Sequence, residues 1–498
     1  MGEDVGRGRG LSRRGFVRAV GVGAVVVGFD PVGRAWAVSG DGSFDKVPYL
    51  DGRLLFDPKD LAPFEGDFGH IVHRTPAAVL EPGSVADIAT MIEFCGARRI
   101  PVAPSGQGHQ TYGQAQVSDG LVIDLSPLND VAVDAGARTV SVGAGAVWSK
   151  VLTASLAEGL TPPVFTDYIE LSIGGTLSVG GFGGASQRYG AQVDTVIDLD
   201  VVTGTGETVT CSAECDADLF HAALAGLGQV GVITRATLRL VPAPASARSY
   251  SLTYPTVDAL AAAQRIAVSD GRFNWLEGAI NALDGGGWTY VLEGTAYYTD
   301  TPPDDANLIG DLGYEGTAAI SDSSYYSFVD DLAPNVAYLE STGEWYDPHP
   351  WFNIFLPDGA TDDYVTDLMN SLTLADIGAS GVVLLYPVPT AKLTAAPLLR
   401  VPESELAFLF AVLRTASPDT DALPTGTMLA ANRELFLKAQ ALGGTVYPIG
   451  SIPMTTQDWR VQYGDQWEWF SAAKQWFDPH GILAPGQGIF PEAYRAAR

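Results

Sequence analysis

Cysteine is scarce. Three residues among 498 leave no disulfide framework to build the fold. Cys211 and Cys215 are close in sequence, but no second ligand pair accompanies them, so they read as solvated or half-buried thiols and not as a metal site. Positive charge is scarce too: 29 Lys and Arg stand against 58 Asp and Glu, a net −29. That balance excludes nucleic acid and anionic membrane surfaces as partners. Internal repeats, low-complexity tracts and apolar runs of the ~20 residues that a bilayer span needs are all missing.

What positive charge there is gathers at the start. Residues 1–37 hold six Arg against Glu3, Asp4 and Asp30, a net +3 that leaves −32 for the remainder. Arg13-Arg14 precedes an apolar run from Ala19 to Phe29, and Ala35-Trp36-Ala37 has the small-residue form of a cleavage site. Charged region, short apolar region and cleavage site in that order predict an export signal over 1–37, and the paired arginines resemble a twin-arginine signal. The expected product is a secreted bacterial protein that does not bind membrane once the signal is removed.

The remaining chain, about 460 residues, suggests two or three domains. Residues 70–243 alternate short strands (100–103, 121–125, 139–144, 196–202, 230–241) with helices (from Ser84 as cap, with Asp87 three residues on, then 147–158 and 218–225). Pro242-Ala243-Pro244-Ala245 breaks the pattern. Residues 246–450 are richer in Tyr, Trp and Phe, with long polar loops such as 300–307. A helix over 467–477 belongs to a C-terminal piece without a core of its own, which predicts a return onto an earlier domain.

Three glycine-bearing segments are candidates for ligand binding. Gly226-Leu-Gly228-Gln-Val-Gly231 matches a dinucleotide fingerprint literally, but a predicted helix precedes it and a strand follows. That order is inverted, and the segment reads as a helix-to-strand turn. Ile173 to Gly190 carries Gly174, Gly175, Gly180, Gly181, Gly183, Gly184 and Gly190, a backbone able to approach a pyrophosphate closely. Ser105-Gly106-Gln107-Gly108-His109-Gln110 puts a histidine between glycine turns after a strand; on chemistry alone it is a ligand contact, a base or a solvated residue.

Taken in order, these segments and several others resemble one family. Gly106-Gln-Gly108-His109, Thr166-Asp167-Tyr168, Gly174-Gly175-Thr176-Leu177-Ser178, Asp198-Leu-Asp200, Gly226 to Gly231 and Leu483-Ala-Pro485-Gly486-Gln487 resemble the vanillyl-alcohol-oxidase (PCMH-type) flavoenzymes. Within that family, Ser324-Tyr-Tyr326-Ser-Phe328 and His349-Pro350-Trp351-Phe352-Asn353 resemble the cytokinin dehydrogenases. The resemblance implies an α+β fold: a two-part FAD-binding domain (38–245 and 450–498) with an inserted α+β substrate domain (246–449). It implies FAD held covalently by His109, and Asp167 as a catalytic carboxylate facing the substrate. Glu277 is a second candidate catalytic group, set against its reading as a surface charge. Further cofactor contacts are implied at Ser105, Gly106, Gln107, Gly108, Gln110, Gln114, Thr166, Gly174, Gly175, Thr176, Ser178, Gly181, Gly184, Val232, Ile233 and Gln487, with no metal.

The implied partners are a small-molecule substrate, of the N6-isoprenoid adenine kind, and an electron acceptor, a quinone or O2. An alcohol or sugar oxidase of the same fold is the alternative, and a silent ligand-binding protein a third. Gln110 after the histidine, Val179 in the glycine run and Pro389 after Tyr386-Pro387-Val388 depart from the family pattern and bear on the substrate, not the flavin.

Overall fold

The structure is a computed structural model that describes residues 47–490 except 284–285 and 419, with backbone alone for 26–30, 35–38 and 44–46. Most of the expected export signal lies outside the described residues. Among the described residues no helix is long and apolar enough to cross a membrane.

Three sheets carry the molecule. The first has Ala78–Glu81, Leu121–Asp124 and Val102–Ser105 in parallel, with Arg53–Leu55 antiparallel at one edge. Parallel neighbours need a crossover. Helix Val85–Arg98 supplies it and buries Ile88, Met91, Ile92 and Cys95 at helical spacing. Its start departs from expectation: the Ser84 side chain makes no cap bond. Asp87 instead accepts the N–H groups of Asp51, Gly52 and Gly83, each at 2.8 Å, and Ser84 donates to Asp51. The carboxylate thus serves an incoming chain segment that local sequence does not reveal.

The second sheet is antiparallel, with Thr208–Ser212, Val196–Thr203, Gly231–Arg239, Thr139–Gly143 and Val131–Asp134 in spatial order. Arg235 reaches across it to Asp198 (2.7 Å) and Asp200 (2.6 Å), so the Asp198-Leu-Asp200 motif braces strands. Cys211 is fully buried in this sheet, a correction to the half-solvated reading, while Cys215 is exposed. Gly226 to Gly231 lies between helix Ala217–Ala223 and strand Gly231–Arg239, with Ala225, Leu227 and Gly228 all at positive φ.

The third sheet has eight antiparallel strands between Ser246 and Val446. Its two faces are separated by the period of two along each strand. Phe408, Phe410 and Val412 of Leu406–Leu413 join the core formed with helices Val257–Asp270, Asp358–Ser371 and Thr425–Ala441. The alternate residues Leu409, Ala411 and Leu413 line a cavity toward the first two sheets. Helix Asp305–Ile309 begins inside the segment expected to be a long loop.

The C-terminal segment runs back to the first sheet. Ile482 O accepts from Val102 N–H, and Ala484 N–H donates to Val102 O, both at 2.8 Å. A buried Lys474–Asp478 pair (2.7 Å) fixes this return, with Lys474 also donating to Gln229 O and Asp478 accepting from Ile482 and Leu483. Such a pair is tolerated because every partner is satisfied.

Candidate functional site

A cavity of about 470 Å³ lies between the third sheet and the other two. It falls in the range of small-molecule and cofactor sites. One wall is the turn Gly106–Gln110 that follows strand Val102–Ser105. Gly108 has φ +64°, with open space where a side chain would stand. At Gly106 a Cβ would lie 1.9 Å from Ser172 Oγ, so two turns meet there. Among the described residues, the backbone N–H groups of Gly106, Gln107, Gly108 and His109 find no protein acceptor. Unused N–H groups in such a turn suit an anion.

The turn is held from outside by Asp67–Gly69. Phe68 N–H donates to Gly108 O and Gly69 N–H to Gln110 O, both at 2.9 Å. Asp67 accepts from Gly113 N–H (2.7 Å) and Gly69 N–H (3.1 Å). Burial outweighs these bonds and the Arg74 charge, and pushes Asp67 up to about 7. The Phe68 ring lies between His109 and His349, stacked at 4.1 and 4.2 Å. Tyr168, Trp345 and Trp351 complete an aromatic box around His109. Burial, and next the His349 ring, pull His109 down to about 3, so its imidazole is neutral.

The glycine run forms the adjoining wall, but not as a simple loop. Ile173–Leu177 is a short helix entered at Ser172, and Gly174, Gly175, Thr176 and Ser178 face the cavity. The Thr176 hydroxyl accepts from Trp148 Nε1 (2.9 Å), and Ser178 Oγ donates to Gly174 O. Gly181 and Gly184 do not line the cavity, which corrects their assignment as cofactor contacts. Gly181 N–H donates to the Tyr447 hydroxyl, and Gly184 O accepts from Leu276 N–H (3.0 Å). A Cβ on Gly184 would fall 2.4 Å from the Trp275 indole. Gly184 lets the third sheet approach, whereas a Cβ on Gly181 would meet the Gln192 side chain at 2.1 Å.

Ser105 also stands off the cavity and lines a smaller one of about 90 Å³ with Asp67 and Gly106–Gly108. Gln107, Gln110, Gln114, Thr166, Val232, Ile233 and Gln487 do line the main cavity. Gln114 is committed to Tyr112 N–H and Gly450 O, and Thr166 Oγ1 to Tyr168 O. Gln110 Oε1 is buried without a partner.

At another part of the wall Asp167 and Glu277 form a buried carboxyl pair. Both are raised, each first by burial. The Asp167 charge next raises Glu277; at Asp167 the hydrogen bond from Glu277 offsets part of the rise, and the Asp331 and Glu293 charges add to it. Two such groups cannot both ionise at low cost, so the pair holds a proton. Glu277 is 9% exposed, which overturns its reading as a surface charge. Asp167 Oδ1 and Glu277 Oε1 have no protein hydrogen-bond partner. Tyr386 and Tyr447 lie near the pair, and Trp351 and Leu384 line the same cavity.

Sequence reading missed Asp67, Phe68, Glu293 and Asp331. The first two lie some 40 residues from the turn they hold. Glu293 had a signal: Asp284-Gly-Gly-Gly287 marks a hairpin whose centre pairs 277 with 293. Among the described residues no group of His, Cys, Asp and Glu could hold a metal.

Comparison with known proteins agrees with this geometry. The family model "FAD binding domain" matches residues 76–212, and "Cytokinin dehydrogenase 1, FAD and cytokinin binding" matches 256–490. An uncharacterised oxidoreductase of the fasciation locus of Rhodococcoides fascians is 40% identical over 88% of this chain and 99% of its own. Cytokinin dehydrogenase 7 of Oryza sativa subsp. japonica is 34% identical over 88% and 91%. The chain belongs to the cytokinin dehydrogenase family. Cytokinin dehydrogenase 2 of Arabidopsis thaliana, at 32% identity over 89% and 94%, is a further relative. The crystal structure of 6-hydroxy-D-nicotine oxidase from Arthrobacter nicotinovorans shares the fold, with TM-score 0.67, 17% identity and coverage of 87% and 96%. The protein is therefore an FAD-dependent oxidoreductase with the α+β PCMH-type fold: an FAD-binding domain and a second, cytokinin-binding-type domain. Acceptorless N–H groups, a glycine-lined wall and an aromatic box fit FAD.

Proposed function

We propose that this member of the family oxidises a small secondary amine of the N6-isoprenoid adenine class, with FAD joined covalently to His109, and that it is exported. The observation that carries the substrate reading is the Asp167–Glu277 pair, backed by Glu293 and Asp331 on the same wall. Loss of hydride from a carbon next to N–H leaves positive charge on the substrate. Four carboxyl groups favour that charge, which an iminium keeps until a base takes its proton, whereas the protonated carbonyl left by an alcohol is far more acidic and gains less from them.

Gly106–His109 and Gly174–Ser178 would hold the pyrophosphate, with Val232, Ile233 and Gln487 as further contacts along the cofactor. Bound FAD would supply the two-electron acceptor, to be reoxidised by a quinone or O2. The chain's own residues do the rest. Asp167 accepts the substrate N–H proton, and Glu277 spreads it over the pair. The wall of Trp351, Tyr386 and Leu384 excludes water from the developing cation. A neutral His109 keeps a ring lone pair, which a covalent bond to the flavin methyl requires.

Anaerobic bleaching of the flavin against N6-isopentenyladenine, a benzylic alcohol and a simple sugar tests the reading. Fast bleaching by the adenine alone is expected; bleaching by the alcohol or sugar alone would overturn it. Export rests on the sequence of residues 1–37. Replacing Arg13 and Arg14 by Lys should leave FAD-loaded protein inside the cell, and normal secretion would exclude the twin-arginine route.

A further inference from the structure

A proton that enters the Asp167–Glu277 pair must leave before the next turnover. The third sheet offers a way out that the substrate does not occupy. In the hairpin Trp275–Ala282/Trp288–Tyr298, Glu277 and Glu293 are direct cross-strand partners. Like charges in that position are normally destabilising. The same row continues from Glu293 to Ser251 and Ala319 on the next two strands. The neighbouring row runs Trp275, Thr295, Ser249, Ser321, and the Ser249 and Thr295 hydroxyls are 3.0 Å apart. Direct partners and residues two apart share one sheet face, so both rows face the same way.

These residues line a second cavity of about 270 Å³. It shares Asp167, Glu277, Glu293 and Asp331 with the main cavity and extends toward the edge strand Glu315–Ser324. Phe328, Val329 and Asp331, on and just after helix Tyr325–Val329, close its other side. Exposure rises along the way: Glu277 is buried, whereas Glu293 and Asp331 are both exposed. Glu277 Oε1 has no protein partner and so is free to pass a proton on. A cavity this size, lined by carboxyl and hydroxyl groups, has the room and the partners for bridging water.

We infer that Glu293 and Asp331 are relay residues that carry the substrate-derived proton from the Asp167–Glu277 pair through the second cavity to solvent. The inference rests on the role given to that pair above. An N–H bond of the substrate breaks and an O–H bond forms on the pair. That O–H bond then breaks as one forms at Glu293, and the proton is handed to water at Asp331. No electrons travel this way.

The test reads the carboxyl proton directly. Rapid mixing of FAD-loaded protein into D2O, followed by infrared spectroscopy, gives the hydrogen–deuterium exchange rate of the protonated carboxyl band, identified as the band that Asp167→Asn and Glu277→Gln alter. Glu293→Gln should slow exchange on the order of tenfold or more, Asp331→Asn less, and Glu293→Asp should restore much of the rate. Ser251→Leu, which fills the second cavity beside Glu293 without removing a carboxyl group, should slow exchange as Glu293→Gln does. This variant decides the matter if Glu293→Gln fails to load FAD. Wild-type exchange in both would overturn the outlet. Bleaching by N6-isopentenyladenine in Asp167→Asn is a separate readout: unchanged bleaching would sink the role of the pair and leave the exchange result standing.

Discussion

Phe68 stacks on His109 with ring centroids 4.1 Å apart and 24° between the planes. The stack fixes the direction of a neutral imidazole whose own backbone sits in a glycine turn. Its other face rests on His349 at 4.2 Å, so the presentation of His109 depends on a ring that carries no chemistry itself.

Replacing that ring should therefore separate cofactor binding from cofactor attachment. Phe68→Leu keeps apolar bulk but loses two stacked contacts, with His109 and His349, and the inclined contacts with Trp345 and Trp351, aromatic pairs being typically worth ~0.5–1.5 kcal/mol. Denaturing gel fluorescence and intact mass should show a smaller covalent fraction, with total FAD little changed. His109→Ala should abolish the covalent mass. A fully covalent Phe68→Leu protein would show that the stack does not orient the histidine.

How much of this was legible in sequence depends on distance along the chain. The glycine run is local, and its spacing alone marks a ligand-binding backbone; the roles of His109 and Asp167 come from the resemblance to the flavoenzymes, since local chemistry leaves His109 open between ligand contact, base and solvated residue. Asp67 and Phe68 act through backbone contacts made only after folding. Glu277 sits on a strand whose neighbours alternate between two buried faces, so sequence alone does not show that a charged residue there points into a cavity. Gly181 and Gly184 sit in a ligand-like run, but they meet Tyr447, Gln192 and Trp275. A glycine that admits another sheet reads in sequence like a glycine that admits a phosphate.

The Gly184 correction has its own consequence. A methyl group there would overlap the Trp275 indole at 2.4 Å and press on the bond from Leu276 N–H. Gly184→Ala should lower the melting temperature, with a cost of ~1–3 kcal/mol for overpacking. The flavin spectrum should stay as in the wild type. A spectral shift without loss of stability would return Gly184 to the cofactor site.

Buried acids give the protein an unusual pH dependence. Asp67, at about 7, and the Asp167–Glu277 pair are all raised above their unfolded values of ~4. A raised acid contributes stability below its unfolded pKa and loses it as pH climbs through the folded one. His109 and His349, pulled down to about 3 and about 4, act oppositely and lose stability as pH falls below ~6.5. Differences between variants therefore report more clearly than the wild-type curve. Glu277→Gln should melt higher than the wild type at pH 7–8, and the gap should close toward pH ~4. An equal gap at both ends would mean that folding does not raise the Glu277 pKa and that the change acts through packing.

Asp167 gives the sharpest prediction. Its carboxyl lines the cavity, with one oxygen lacking any protein partner, and it lies five residues before Ser172, which enters the glycine-bearing helix. Asp167→Asn keeps the shape and removes the base, so FAD content should be unchanged. General-base assistance is typically worth ~10²–10⁴ in rate. Flavin reduction under anaerobic stopped flow should slow by that factor, roughly 3–5 kcal/mol of barrier. The residual rate should also lose the pH dependence that a titrating base imposes. Glu277→Gln should show a smaller loss, since Asp167 can still take the proton without its partner to share it. Bleaching at the wild-type rate in Asp167→Asn would assign the carboxylate to structure, whereas loss of FAD would assign it to the cofactor site. In either case the proton would need another acceptor, and Glu277 is the nearest group left to supply one.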